Sequence, residues 1–205
     1  MPEGRSESDL AGFLAARPFT REEVFTEPCP VPDQPGAYGW WFRTLPADID
    51  VSSCERREDL TLLYVGVSPG PPPASGRPSV SQDLRKRIKF HFGGVGADAG
   101  GSTLRKTLGV LLGGELGFEL RRVGSGRRST FAGGEAVLTQ WMAENVLVSW
   151  VVRPEPWHFE EKLIANLDLP LNLNDKTRNA FYPQLTKIRR DADRKAGKAR
   201  VLKEW

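Results

Sequence analysis

Three short stretches are apolar at almost every position: residues 36–44 (GAYGWWFRT), 60–67 (LTLLYVGV) and 146–152 (VLVSWVV). Runs of strand length without polar alternation predict strands buried on both faces. The first two, separated by polar turn material over 46–59, are expected to pair antiparallel. Elsewhere the apolar positions fall at helical spacing. Leu104, Leu108, Leu111 and Leu112 form one stripe behind a capping Ser102, and Val137, Leu138, Trp141 and Met142 form another. A third helix opens at Pro156, a residue suited to a first helical turn, and runs to about Leu167. Residues 8–16 predict a short helix stopped by Pro18, and Thr20 with Glu23 three residues on has capping-box spacing.

Punctuation lies between these segments. EPCPVPDQPG (27–36) holds four prolines and must be extended, and PGPPPASGRPS (69–79) is a loop that a compact domain could spare. A helix over 82–92 (QDLRKRIKFHF) follows, with Ser79 or Ser81 as its cap. Residues 93–101 are glycine-rich, expected to be loose, and lack a phosphate-loop pattern. Residues 118–128 (FELRRVGSGRR) read as a strand and turn, and a long basic helix starts near Pro183. This order predicts an α/β (α+β) protein with a small, largely antiparallel sheet sandwiched by helices. It divides into an N-terminal extension over 1–35, a main domain over 36–182 with an insertion at 69–79, and a basic C-terminal helix over 183–205.

Composition narrows the class. Of 205 residues 39% are hydrophobic, with six Trp and ten Phe, enough for a real core, while the 21 Gly and 16 Pro are dispersed and predict long loops rather than disorder. No apolar run is long enough for a membrane span, and the start MPEGRSESDL carries acids where a secretory signal would be apolar. Cys29 and Cys54 make neither a disulfide framework nor a zinc set, and are expected to be reduced thiols of a cytoplasmic protein. The net charge of +3 conceals an asymmetry: residues 187–203 carry eight Lys or Arg against two Asp, whereas residues 1–34 carry seven acids against three Arg. A basic C-terminal stretch invites a polyanionic partner, although such runs are usually solvated faces.

Chemistry concentrates at a few positions. On a wheel of about 100° per residue, Arg87, His91, Leu84, Ile88 and Phe92 fill one arc, with Lys86 and Lys89 pointing away. Arg87 and His91 either snorkel from a core stripe or face a cleft. The same construction puts Glu160 inside the stripe of Trp157, Leu163, Ile164 and Leu167. A carboxylate aimed at a core needs a partner, either an arginine or a divalent metal. Asn172, in the turn LPLNL, either orients that carboxylate or satisfies turn backbone. Tyr38 and Tyr64, each beside glycine on neighbouring strands, are either core tyrosines or leave room for a ligand above the sheet.

In order, GAY (36–38), YVG (64–66), L-x-x-R-x-x-x-H (Leu84, Arg87, His91), E-x-x-L-I (Glu160, Leu163, Ile164) and Asn172 resemble the GIY-YIG nuclease superfamily. The resemblance implies a Mg²⁺- or Mn²⁺-dependent endonuclease acting on DNA. It makes Tyr38 and Tyr64 the groups that position or deprotonate water, and Arg87 the cation on the scissile phosphate. His91 becomes a phosphate contact or proton-transfer group, Glu160 the metal ligand and Asn172 a supporting residue. A non-cleaving nucleic-acid-binding module and an RNase are the alternatives on the same scaffold. This chain departs from the pattern in its long 69–79 connection and in Val67, where many members carry a polar residue. Candidate phosphate contacts are Arg85, Lys86, Lys89, Arg105, Lys106, Arg121, Arg122, Arg127 and Arg128, with Lys187, Arg189, Arg190 and Arg194 on the last helix. The 121–128 region and the last helix are favoured. No membrane partner is expected, and the pattern leaves room for a homodimer.

Overall fold

The computed structural model describes residues 3–72, 82–173 and 179–203. In chain order the elements are α1 (Glu3–Ala15), α2 (Arg21–Val24), β1 (Gly36–Phe42), β2 (Arg56–Arg57), β3 (Leu60–Ser68), α3 (Leu84–His91), α4 (Thr103–Leu116), β4 (Arg121–Val123), β5 (Arg128–Thr130), α5 (Gly134–Asn145), β6 (Val146–Val152), α6 (Pro156–Asn166) and α7 (Tyr182–Lys198). Four strands form one antiparallel sheet in the order β2-β3-β1-β6, and β4 and β5 form a separate hairpin. The mixed architecture with an antiparallel sheet between helices is the one the apolar rhythm predicts.

β1 is buried at every position because it lies between two neighbours and is covered on both faces. Tyr38, Trp40 and Phe42 enter one core, with Leu84 and Ile88 of α3, Leu104 and Leu108 of α4, Leu138 and Met142 of α5 and Leu185 of α7. Ala37 and Trp41 enter the other, with Phe13 of α1 and Phe159, Leu163 and Ile164 of α6. Each fully buried side chain of this size contributes roughly 2 kcal/mol by leaving water. The segment ahead of β1 is part of this packing: Phe13, Val24 and Val31 have no exposed surface, and Phe19 exchanges backbone hydrogen bonds of 2.8 and 2.9 Å with Val148 on β6.

One irregularity in β3 decides which way a key side chain faces. Trp40 pairs with Tyr64 and Trp41 with Leu62, so Leu63 is an extra residue in the ladder. Strict alternation would send Leu60, Leu62 and Tyr64 to one face. The bulge instead leaves Leu60 and Leu62 in the second core and turns Tyr64 into the first, the face that holds Tyr38.

Several local expectations are corrected. The cap of α3 is Asp83, whose carboxylate accepts from the Lys86 amide at 2.8 Å. Ser79 and Ser81, which the pattern favoured, lie outside the described residues, as does most of the 69–79 loop. The polar stretch before β3 contains β2, closed into a tight hairpin by Glu58 at φ 55°. Val137 is 43% exposed, so the buried face of α5 runs through Leu138 and Met142 without it. The glycine-rich connection after α3 is pinned by the Gly94 amide to the Lys89 carbonyl at 2.8 Å and by the Ala99 amide to the Glu135 carboxylate at 2.9 Å.

Candidate active site

Tyr38 lies across Gly66, its register partner on β3. A Cβ at position 66 would come within 2.7 Å of the Tyr38 hydroxyl, so only glycine lets the ring lie there. The Tyr38 hydroxyl meets His91 Nε2 at 3.0 Å, and His91 Nδ1 meets the Ser102 hydroxyl at 2.7 Å. Ser102 is the cap of α4 and also accepts the Arg105 amide at 3.0 Å. Arg87, one turn before His91, donates to the Gly101 carbonyl at 3.1 Å. His91 follows neither reading of the α3 arc, because its ring is wholly buried, while Arg87 keeps a partly exposed guanidinium beside the tyrosines.

The ionisation of these groups follows from burial. Removal from water raises the Tyr38 hydroxyl, and the neighbouring Arg87 guanidinium acts against that rise. Tyr64 is raised as well, by burial first and by Tyr38 second. Its hydroxyl makes no hydrogen bond to the described residues, and the residue is 8% exposed. His91 is held well below its ordinary value by burial, then by Arg87 and Arg105, so its ring is neutral. The Ser102 oxygen already accepts one amide. Two tautomers fit this chain: with Nε2 protonated, Ser102 donates to Nδ1 and Tyr38 accepts, and with Nδ1 protonated, Tyr38 donates to Nε2 and Ser102 accepts.

Glu160 comes from α6, which packs on the opposite face of the sheet. Its charge is felt at both tyrosines. Among the described residues no side chain hydrogen-bonds or pairs with its carboxylate. Burial, with Glu161 adding to it, pushes Glu160 up to about 7. The described residues therefore do not supply the arginine partner that a buried glutamate would need. Asn172 does not reach this carboxylate either. Its amide accepts from the Val65 amide and donates to the Val65 carbonyl, both at 2.9 Å, on the edge of β3 that β2 is too short to cover. Asn172 thus fixes the residue next to Tyr64.

The basic candidates divide by what already holds them. Arg105 has no exposed surface and is closed into a network with Glu135 (2.7 Å), the His91 carbonyl and Thr139, which removes it from any ligand. Arg122 donates to the Ala196 and Gly197 carbonyls, and Arg121 to the Arg200 carbonyl, so both are engaged with the end of α7 and the tail after it. Arg128 pairs with Asp98, Lys86 with Asp83, Lys89 with Glu27 and Lys187 with Asp191. Arg127 and Arg190 are exposed and make no ion pair with the described residues. The role of Ser102 behind His91 was not legible from its position, which signals only a helix cap.

A family model for the GIY-YIG catalytic domain matches residues 36–191. The match covers most of the chain, from the first residue of β1 into α7, and the chain belongs to the GIY-YIG family, whose catalytic domain is that of a nuclease. No curated protein and no solved structure matches the chain.

Proposed function

We propose that the protein is an endonuclease that hydrolyses phosphodiester bonds in DNA with a divalent cation, Mg²⁺ or Mn²⁺. The observation that carries this reading is the half-buried Glu160 carboxylate, without a partner among the described residues and close enough for its charge to act on both tyrosines. Among the described residues no cluster of three acidic, histidine or cysteine side chains stands ready for a metal, so Glu160 is the one protein ligand assigned. A single carboxylate completed by water and substrate oxygens suits Mg²⁺. The ion would neutralise charge on the phosphate.

The remaining work falls to this chain's own side chains. Tyr64, with its open hydroxyl, orients the attacking water. Tyr38, kept as the neutral phenol by burial and held in place by His91 and Arg87, hydrogen-bonds the same water. His91, buried with both nitrogens occupied, supports Tyr38 rather than touching phosphate. Arg87 presents a permanently charged planar fork to the scissile phosphate. A non-cleaving module would have no use for an unpaired glutamate at this depth.

Purified protein incubated with supercoiled plasmid, single-stranded DNA or RNA, in Mg²⁺, Mn²⁺ or EDTA, tests the proposal. Wild type is expected to nick plasmid with either cation and to stop in EDTA. Arg87→Ala is expected to be slower by about a hundredfold or more. Preference for RNA would move the substrate class. Equal trace activity of both proteins under every condition would end the nuclease reading.

A further inference from the structure

Three consecutive residues at the start of α4 hold three different groups. The Gly101 carbonyl accepts from Arg87 at 3.1 Å, the Ser102 hydroxyl meets His91 at 2.7 Å, and the Thr103 carbonyl accepts from Arg189 at 3.1 Å. The first two groups belong to the site already described. The third reaches the same junction from α7, on the far side of the chain in sequence. Successive Cα atoms are about 3.8 Å apart, so the anchors of Arg87 and Arg189 lie within about 8 Å of each other.

The state of Arg189 is unlike that of the structural arginines. Its guanidinium donates through one nitrogen to two neutral acceptors, the Thr103 carbonyl and, at 2.7 Å, the Thr107 hydroxyl. Among the described residues no carboxylate lies within ion-pair distance of it. Asp193, one turn along α7, is taken by Lys106 at 2.6 Å. Arg105 shows how this chain treats an arginine that serves only packing: it is sealed against Glu135 with all three guanidinium nitrogens engaged. Arg189 is instead half-buried and aimed by two threonines of α4, with unused donors and no ion pair to the described residues; Asp193, bonded to Lys106, acts on it only at a distance. Its field extends to Tyr64, the tyrosine with the open hydroxyl. A desolvated cation held in place by neutral groups is costly to the fold unless an anion arrives.

We propose that Arg189 is a second phosphate-binding guanidinium, holding the nucleic-acid phosphate next to the one that Arg87 contacts. The inference rests on the nuclease reading and extends it to a second phosphate subsite on the Tyr64 side. The separation of the two anchors is on the scale of neighbouring phosphates along one strand, whereas a single phosphate fits a single guanidinium fork.

The experiment is fluorescence anisotropy of a short fluorescein-labelled DNA duplex with the full chain in EDTA, across a salt series. Arg189→Gln keeps an amide for the two threonine acceptors and removes the charge. It is expected to weaken binding about tenfold at low salt and to lower the slope of log affinity against log salt by about 1. Arg189→Lys is expected to keep the slope. If Arg189→Gln binds with wild-type affinity and slope, the proposal is wrong. Should that variant melt below the assay temperature, Thr107→Val loosens the guanidinium without removing its charge. It is expected to slow cleavage at an unchanged salt slope, and a wild-type rate there would overturn the proposal. A wild type that neither binds nor cuts DNA overturns the nuclease reading and Arg189 with it. A wild type that cuts, beside an Arg189→Gln protein of unchanged slope, overturns only the role of Arg189.

Discussion

His91 is a wholly buried ring held at both nitrogens by hydroxyl groups of the candidate site. The ring is enclosed by the Tyr38 hydroxyl and the Trp40 ring from β1, by Arg87 on its own helix, and by Ser102 and Arg105 from α4. Burial and the two guanidiniums forbid the charged form. Its folded pKa is therefore depressed below the unfolded value of about 6.5. Such a histidine contributes stability that is whole above the unfolded pKa and is lost as pH falls below it, because only the unfolded chain takes up the proton. Melting temperatures of wild type and His91→Gln between about pH 7.5 and about pH 5.5 check this. Wild type is expected to lose more stability on acidification than the variant, which cannot charge. Parallel curves would mean that His91 is not the buried neutral group described. A phosphate contact, the other role that the motif implied, would require an open ring nitrogen.

At the scale of elements, the strand that carries Tyr64 owes its geometry to two features that no local pattern encodes. The run LTLLYVGV predicts a buried strand correctly because every position is apolar, but for the same reason it is silent about faces. The extra residue at Leu63 is a property of pairing with β1, and it alone puts Tyr64 over the same face as Tyr38. Asn172 then occupies the open edge of β3 with both ends of its amide, from 107 residues away in sequence. The sequence left its role between a carboxylate and a backbone, and only the tertiary fold decides for the strand edge. Asn172→Ala removes both bonds and strands two buried backbone groups, a loss of about 2 kcal/mol. It is expected to lower the melting temperature by about 6 °C and to reduce kcat through the loosened Tyr64. Unchanged stability would show that water or another side chain satisfies Val65 equally well.

Across the whole molecule, the legible part of the site was the set of side chains whose types are rare in their surroundings. Glu160 stood out within an apolar stripe, Arg87 and His91 on the border of another, and the two tyrosines beside glycines on adjacent strands. The basic surface was far less legible, since a run of arginines does not reveal its partners. Arg121 and Arg122 looked like phosphate contacts and are engaged with the carbonyls after Lys195, while Arg105 closes a buried network. Arg189, one cation among eight in its stretch, became distinctive only when α7 was seen against the first turn of α4. Among the described residues no helix is long and apolar enough to cross a membrane.

The fold half-buries Glu160 and, among the described residues, gives it no counter-charge, a burial that costs stability. Glu160→Gln removes that charge while keeping shape, so the variant is expected to melt no lower than wild type in EDTA. The most direct measurement is the plasmid-nicking rate of this folded variant in Mg²⁺, beside wild type in the same buffer. A rate lower by about a hundredfold or more is the predicted result. A Glu160→Gln protein that is folded and nicks plasmid at the wild-type rate would contradict the account.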